Sequence, residues 1–385
     1  MLAVVAILLL AFNLRLAVSS TPPILADLGL GAAGQSLLVT VPVLCFGLAA
    51  LAGPWLRRRL GEEQLLLGAI SALTLGLAMR AIWTSGGLFP GTVVAALAVA
   101  IMNVVVPAVV RGRFAAHAAA MTSAYTVSLS VGAGLAAGLT VPILHGSKSL
   151  HLALGIWAVP AVVALLVWLT QVDTWRPSVS QRQSAVAPAS APGSRLWTSP
   201  VALGVTAFFG LQSLVYYAML SWLPATYRSR GDSPAAAGFL LAVLATVGIL
   251  GNLAGPALAS RTRDQRLAVL VGISITAVGV LGVLLGPLST ALISVCVLGI
   301  GTGATFALAL LLVVVRSADP TTAVRLSAMA QGVGYLIAAC GPLALGLVRA
   351  ASGGWNIPLA LILVVLAVEV GPAWIAARAR VVGAE

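Results

Sequence analysis

The sequence predicts an all-α polytopic membrane protein with 12 transmembrane helices in two six-helix bundles. Three observations favour this fold class. Hydrophobic residues occupy 60% of the 385 positions and charged residues only 8%, whereas a soluble domain carries about 25% charged residues. The apolar residues form continuous runs rather than the alternating pattern of a transmembrane barrel. Each span needs about 20 apolar residues, so this length accommodates roughly 12 of them.

Apolar runs punctuated by Gly, Pro and charged residues mark the spans in order along the chain. In the first half we expect spans at Leu2–Pro22, Gln35–Leu56, Gln64–Trp83, Gly91–Val110, Ala119–Leu144 and Leu150–Thr170. In the second half we expect Pro200–Tyr227, Pro234–Ser260, Leu267–Gly286, Ser289–Val315, Thr322–Val348 and Trp355–Ala377. The intervening segment is rich in Ser, Pro, Ala and Gln, which is typical of a flexible connector. The predicted organisation is therefore a bundle at 1–170, a cytoplasmic linker at 171–198 and a second bundle at 199–385.

The basic residues predict the orientation of the spans, because cytoplasmic loops retain an excess of Lys and Arg. With the N-terminus inside, fifteen of the 21 basic residues lie on the cytoplasmic side and five on the opposite side. Arg15 is the remaining one and lies within the first span. We therefore expect both termini in the cytoplasm.

The net charge of +12 would suit a nucleic-acid-binding protein if it lay along one face. Here the basic residues lie in short clusters between apolar runs, so we predict no nucleic-acid partner. Cys45, Cys296 and Cys340 have no paired spacing, and the sequence contains no His-Glu-x-x-His and no Gly-Lys-Ser/Thr motif. We therefore predict no metal, no cofactor and no ATP-driven step.

An internal repeat supports the division into two halves. Gly53-Pro54-Trp55-Leu56 precedes a triple-Arg loop, and Gly255-Pro256-Ala257-Leu258 precedes a second basic loop at an offset of 202 residues. Pro22 recurs as Pro224 at the same offset. An even number of spans separates the repeats, which predicts two halves related by an axis along the membrane normal.

Several motifs, in their order and depth, resemble the major facilitator superfamily and, within it, the cyanate and nitroimidazole transporter family (CynX/NimT). They are Asn13-Leu14-Arg15, Val41-Pro42-Val43, Asn103-x-x-x-Pro107, Arg111-Gly112-Arg113-Phe114, Ser221-Trp222-Leu223-Pro224 and Gln331-Gly332-Val333-Gly334-Tyr335. The resemblance covers the whole chain. It implies a monomeric secondary transporter of a bacterial inner membrane that works by alternating access. It also implies cyanate-like anions or nitroimidazole-like heterocycles as the substrate class.

Two departures from the superfamily pattern bear on coupling. The loop after the second span usually reads Gly-x-x-x-Asp-Arg-x-Gly, but here the acidic position falls within the run Arg57 to Arg59. The fifth span lacks the Gly-Pro-x-x-Gly-Gly signature of proton-driven drug exporters. A proton-coupled efflux antiporter for drugs or other small molecules is nevertheless the main alternative, and protons are a candidate coupling ion.

Arg15 is the predicted centre of the binding site. It lies past the middle of the first span, where a charge costs several kcal/mol even on the lenient insertion scale. Eight of the nine acidic residues fall in loops or at the C-terminus, so no carboxylate is expected at this depth. An unpaired guanidinium favours an anion, or a strongly polarised oxygen or nitrogen, as its partner. The alternative is a structural arginine that caps carbonyls or ties the first span to a neighbour.

Polar and aromatic residues at mid-depth in other spans would complete the substrate site. They are Asn13, Asn103, Tyr125, Gln212, Tyr216, Thr305, Gln331 and Tyr335. Each could instead be a packing residue, since Asn, Gln and Thr commonly hydrogen-bond across membrane helices. Tyr216 and Tyr335 could offer ring faces as well as hydroxyls to a small planar solute.

Glu369, the ninth acidic residue, lies within the last span, and two interpretations compete for it. It could bind a coupling proton. The last span of each half is generally peripheral in the superfamily, so we favour a supporting helix–helix hydrogen bond or a contact towards Arg378.

The sequence thus predicts a secondary active transporter that moves a small anionic or polar solute across a lipid bilayer, and not an enzyme. A polytopic membrane enzyme is the remote alternative, since it would need a catalytic Ser-His, metal or paired-carboxylate set. The solute, the direction of transport and the coupling ion stay open at this point.

Overall fold

The computed structural model describes residues 2–82, 86–114, 118–170, 194–261 and 264–382. Within these ranges, 12 helices are long and apolar enough to cross a membrane, which confirms the predicted fold class. In the N-terminal half they are α1 Leu2–Ser19, α2 Ala32–Gly53, α3 Arg59–Ile82, α4 Leu88–Arg113, α5 Ala118–Ser147 and α6 Leu150–Leu169. In the C-terminal half they are α7 Pro200–Ser229, α8 Pro234–Ala259, α9 Arg266–Leu285, α10 Ala291–Val315, α11 Pro320–Ser352 and α12 Asn356–Ala376.

The predicted spans agree with these helices to within a few residues, and the differences have local causes. We expected the first span to continue to Pro22, but α1 ends at Ser19 and a 3₁₀ helix follows at Pro22–Leu28. Two successive prolines begin that helix, where proline is well tolerated because the N–H groups of a first turn have no partner within the helix. Most of the predicted linker lies outside the described residues; Ser194–Thr198 at its end is a short helix.

Three helices of the C-terminal half begin at a proline that follows a side-chain cap. Ser199 and Ser233 each accept a hydrogen bond from a backbone N–H in the first turn, of α7 and of α8 respectively. Asp319 accepts hydrogen bonds from the backbone N–H groups of Thr321 and Thr322 at the start of α11. These bonds, together with one from the Thr322 hydroxyl, lower the pKa of Asp319. Such caps fix where each span begins.

The 202-residue repeat is also visible in the packing of each half. Gly53 of α2 approaches Val104 of α4 so closely that an added Cβ would lie 3.0 Å from that side chain. Gly255 of α8 approaches Ala304 of α10 in the same way, with 2.9 Å from an added Cβ to the carbonyl oxygen. Small residues let membrane helices pack at short range. In both halves, therefore, the repeated glycine allows the second helix to pack closely against the fourth.

The two halves meet along two helix pairs, α2 with α11 and α5 with α8. Glycines allow the close approach here as well. A Cβ added at Gly47 would lie 3.0 Å from the carbonyl oxygen of Gly332, and one added at Gly238 would lie 2.8 Å from that of Ala137. The N-terminal half therefore contacts the C-terminal half mainly through α2 and α5.

Contacts between the halves close one end of the molecule, the end at which α1 and α7 terminate, here called the outer end. Arg228 at the end of α7 donates two hydrogen bonds to Asp27 of the 3₁₀ helix, at 3.0 and 3.2 Å. Gly346 of α11 lies against Ser36 of α2, and an added Cβ would overlap the Ser36 hydroxyl. The outer end is thus closed by an ion pair and by tight packing.

Candidate functional site

Arg15 of α1 reaches across the interface to the C-terminal half. Its Nη1 donates a hydrogen bond to the Tyr216 hydroxyl of α7 at 3.0 Å, and its guanidinium carbon lies 5.4 Å from the centre of the same ring. Among the described residues, this hydroxyl is the one hydrogen-bond partner of Arg15. A guanidinium carries five N–H donors, so most of the donors of Arg15 are available to a further acceptor.

Four of the five tyrosines of the chain lie near enough to interact with the charge of Arg15. They are Tyr125 of α5, Tyr216 and Tyr217 of α7, and Tyr335 of α11. The ring centres of Tyr216 and Tyr217 are 5.1 Å apart, and those of Tyr217 and Tyr335 are 6.1 Å apart. These five residues, Arg15 and the four tyrosines, form what we call the Arg15 cluster.

Two phenylalanines pack against the rings of Tyr217 and Tyr335 in the cluster. Phe46 of α2 lies 5.7 Å from Tyr335 and 6.0 Å from Tyr217, measured between ring centres. Phe209 of α7 lies 5.2 Å from Tyr335, nearly perpendicular to it. Edge-to-face contacts of this kind contribute about 0.5–1.5 kcal/mol beyond the area that they bury. The tyrosine rings are therefore held in place by helices of both halves.

A small cleft lies next to the cluster on its outer side, between α1, α2, α4 and α7. Its lining is mostly apolar, and Thr21, Thr92 and Ser221 add hydroxyl groups. Tyr217 belongs both to this cleft and to the cluster. The cleft therefore adjoins the Arg15 cluster on the side of the closed outer end.

The structure brings together four of the predicted site residues: Arg15, Tyr125, Tyr216 and Tyr335. The sequence analysis missed Tyr217, Phe46 and Phe209. A signal for Tyr217 was present, since the 202-residue offset of the repeat aligns it with Arg15.

The two predicted glutamines lie one helical turn from tyrosines of the cluster. Gln212 precedes Tyr216 by four residues; its amide nitrogen donates to the Ser213 hydroxyl at 2.6 Å, while its buried carbonyl oxygen has no partner among the described residues. Gln331 precedes Tyr335 by four residues and donates to the Ser327 hydroxyl at 2.7 Å. Residues four apart share a helix face, so both glutamines flank the cluster.

Three predicted site residues do not join the cluster. Asn13 donates to the carbonyl oxygen of Pro160 on α6 at 3.1 Å; it lies two residues from Arg15, about 200° around the helix. Thr305 is buried and faces Gly272 of α9, away from the interface between the halves. Asn103 is half-buried on α4, with no hydrogen-bond partner in the described part of the chain.

The sequence profile of the Major Facilitator Superfamily matches residues 3–342. The chain belongs to the Major Facilitator Superfamily. An uncharacterized transporter, YycB, of Bacillus subtilis (strain 168) is 32% identical, over 94% of this chain and 90% of the relative. The 2-nitroimidazole transporter of Escherichia coli (strain K12) is 34% identical, over 92% and 89%. The cyanate transport protein CynX of the same strain is 30% identical, over 91% and 90%. These relatives confirm the resemblance predicted from the motifs.

The fold agrees with a solved structure of the superfamily. A bacterial homolog of the human lysosomal transporter Spinster, in an inward-facing and occupied conformation, superposes with a TM-score of 0.74. The match covers 97% of this chain and 95% of the other at 14% identity. The Major Facilitator Superfamily fold thus extends over nearly the whole chain, and the protein is a multi-pass membrane transporter by family.

Arg80, in the last turn of α3, and Glu369, within α12, are buried charged residues outside the Arg15 cluster. Arg80 of α3 is 1% exposed and donates to the carbonyl oxygen of Ala17 at 3.0 Å and to the Thr21 hydroxyl. Glu369 of α12 is fully buried, and neither of its carboxylate oxygens has a hydrogen-bond partner within the described ranges. The supporting hydrogen bond that we favoured for Glu369 is therefore not found, and Arg378 is exposed.

Proposed function

We propose that this protein is a secondary active transporter whose Arg15 cluster binds a small planar solute that is anionic or strongly polar. The proposed substrate class comprises cyanate-like anions and nitroimidazole-like heterocycles. The observation that carries the proposal is Arg15 itself, a charge within a span that has a tyrosine hydroxyl, and no carboxylate of the described chain, as its partner. Intramembrane charges of this kind mark substrate or ion pathways.

The chemistry of the cluster suits such a solute. The Tyr216 hydroxyl accepts one N–H of Arg15 and so orients the guanidinium. The remaining N–H groups can donate in pairs to the oxygens of an anion or a nitro group, as a planar fork does. The rings of Tyr216, Tyr217 and Tyr335 lie beside Arg15, with neighbouring centres 5.1 and 6.1 Å apart, and would form the walls of the binding site. A flat solute could therefore lie against the rings while its polar end meets Arg15.

The origin of the cluster's members in both halves supports alternating access. Arg15 and Tyr125 come from the N-terminal half, and Tyr216, Tyr217 and Tyr335 come from the C-terminal half. A solute bound to both halves loses contacts when they separate at either end, so separation at opposite ends would load and release it. The similarity to a 2-nitroimidazole transporter and a cyanate transport protein supports the substrate class.

The proposal includes an orientation and a setting. We place both termini in the cytoplasm of a bacterial cell, so that the closed outer end faces away from the cytoplasm. The protein would act as a monomer in the inner membrane, without a cofactor. Two bundles of 1–170 and 199–385, joined by a cytoplasmic linker at 171–198, would be the moving bodies. Measuring the accessibility of single cysteines placed in each loop would test the orientation.

The test of the binding site compares Arg15→Ala with Arg80→Ala, a matched loss of arginine elsewhere in the same half. Affinity for cyanate and for 2-nitroimidazole is measured on the purified proteins, together with thermal stability. Losing one charge-assisted contact costs about 1.5–3 kcal/mol, or roughly a tenfold to hundredfold loss of affinity. We expect that loss in Arg15→Ala, with nearly unchanged stability. Unaltered affinity in Arg15→Ala would overturn the proposed site.

The direction of transport needs a separate measurement on cells or proteoliposomes. Uptake of the same two solutes is compared with and without a pH gradient. Import predicts higher accumulation on expression of the protein. Lower accumulation that is abolished when the pH gradient collapses would favour the efflux antiporter instead.

A further inference from the structure

Glu369 lies deep in α12, seven residues before the helix ends at Ala376, or about 10 Å at 1.5 Å per residue. Its side chain is fully buried, with 0% exposure. Neither carboxylate oxygen has a hydrogen-bond partner in the part of the chain that the structure describes. Buried polar atoms are nearly always hydrogen-bonded in proteins, so a carboxyl group with two unpartnered oxygens requires an explanation.

The face of α12 that carries Glu369 packs against α7. Where Gly204 of α7 meets α12, an added Cβ would lie 3.1 Å from Ile375 and 3.2 Å from the carbonyl oxygen of Pro372. Residues three and seven positions apart share a helix face, so Pro372 and Ala376 lie below Glu369 on this face. Glu369 is therefore directed into the C-terminal half rather than towards lipid.

No charged group of the described chain neutralises Glu369. The helix α12 packs on α7, α9 and α11. The titratable residues on those helices are Tyr216, Tyr217, Tyr227 and Arg228 on α7, Arg266 on α9, and Arg325, Tyr335, Cys340 and Arg349 on α11. None of them is a hydrogen-bond partner of Glu369.

The basic residues around α12 have contacts of their own. Arg266 stacks on the ring of Trp374, with 4.3 Å from the guanidinium carbon to the ring centre, and pairs with Asp264 at 3.6 Å. Arg349 lies over the ring of Trp355. Glu369 is thus buried without a counter-charge in the described part of the chain.

An isolated ionised carboxylate in such surroundings would cost far more than the neutral acid, because nothing replaces its lost hydration. A carboxyl group in this position holds a proton instead. We propose that Glu369 is a proton-binding site of the C-terminal half, separate from the Arg15 cluster and occupied by a proton in this conformation. The ligand is the proton itself, taken up from water and returned to it as Glu369 ionises.

The site goes beyond the proposed substrate function, and its test does not require the substrate. Infrared spectra of the purified protein in lipid are recorded at neutral pH in H₂O and in D₂O. A protonated carboxyl group gives a C=O stretching band that shifts in D₂O. We expect such a band in the wild type and its loss in Glu369→Gln, which keeps the shape of the side chain. Asp319→Asn is the control, since Asp319 is an exposed acid outside the spans, and the band should survive it.

A second variant keeps the test decisive if the Gln variant folds poorly. Glu369→Asp retains a carboxyl group on a shorter side chain, so the band should move rather than disappear. A wild-type spectrum without the band at neutral pH would overturn the proposal. So would a band that is unchanged in both Glu369 variants. Neither result would bear on the binding role proposed for Arg15, which the affinity measurement on Arg15→Ala tests separately.

Discussion

Arg15, past the middle of α1, and Arg80, in the last turn of α3, both lie on helices of the N-terminal half, but they donate to different kinds of partner. Arg80 is almost completely buried and donates to the backbone of Ala17 and to the hydroxyl of Thr21, which ties α3 to the end of α1. Arg15 is half-buried and donates to one tyrosine hydroxyl of the opposite half. The two arginines therefore differ both in burial and in where their partners lie. Arg80 bonds within its own half, whereas Arg15 bonds across the interface and has more donors without a protein acceptor in the described chain.

The largest effect is expected from Arg80→Ala, which tests whether Arg80 has the structural role that the comparison with Arg15 assigns to it. The substitution leaves two buried acceptors unpaired and removes a large side chain from the core. We expect the free energy of unfolding to fall by about 2–5 kcal/mol. Thermal unfolding of the purified variant measures the loss, and the affinity of the surviving folded protein for 2-nitroimidazole should match that of the wild type. Wild-type stability would show that Arg80 is dispensable for the fold.

Arg15→Lys sharpens the comparison because it keeps the charge and changes only the geometry. An ammonium group is a point donor and cannot reproduce the planar fork. We expect about a tenfold loss of affinity for the solute, or about 1.4 kcal/mol, with unchanged unfolding temperature. Arg80→Lys is the matched control and should retain affinity. If Lys at position 15 bound as tightly as Arg, charge alone rather than bidentate geometry would account for recognition.

Tyr216→Phe tests whether the tyrosine hydroxyl orients Arg15. The variant keeps the ring and removes the acceptor at 3.0 Å from Nη1. Loss of one hydrogen bond to a charged group is worth about 1.5 kcal/mol or somewhat more, but the freed N–H can turn to the solute and offset part of it. We therefore expect a loss of affinity of about threefold to tenfold. Calorimetric titration of wild type and variant measures it, and a gain in affinity would mean that Tyr216 competes with the solute.

The smallest effect is expected at Arg228, an arginine whose partner is a carboxylate. Its pair with Asp27 is partly exposed, with 23% and 30% of the two side chains accessible. Exposed pairs contribute at most about 1 kcal/mol, so Asp27→Asn should shift the balance between closed and open outer ends by about fivefold or less. Distances between spin labels across the outer end report this shift. An unchanged distance distribution would assign closure to the packing of Gly346 on Ser36.

The spans were predictable from the sequence because each one is a long apolar run bounded by polar residues, and the helices agree with those runs. Depth within a span can be read from the sequence in the same way, which is why Arg15, Tyr216 and Tyr335 were identified. The direction around the helix axis depends on neighbours that the sequence does not specify. Asn13 and Thr305 have suitable depth, yet they face α6 and α9 respectively.

Tyr217 was missed for a related reason. Neighbouring residues on a helix are about 100° apart, so the choice of Tyr216 gave no reason to include Tyr217. They do so because α7 runs between two partners. Tyr216 meets Arg15 of α1, while Tyr217 lies between Phe46 of α2 and Tyr335 of α11. Only the packed arrangement of the four helices shows this.

The alignment of Arg15 with Tyr217 across the repeat has a consequence for the cargo. A two-fold related scaffold would offer a symmetrical solute the same contact from each side. Here Arg15 offers a cation and Tyr217 an aromatic ring, so the proposed site would differ chemically on its two sides. A solute with a negative or polar head and a flat apolar body would enter in one orientation only, head towards α1. Each transport cycle would then carry the solute in one fixed orientation. Symmetrical ions without a flat body would bind more weakly at the same site.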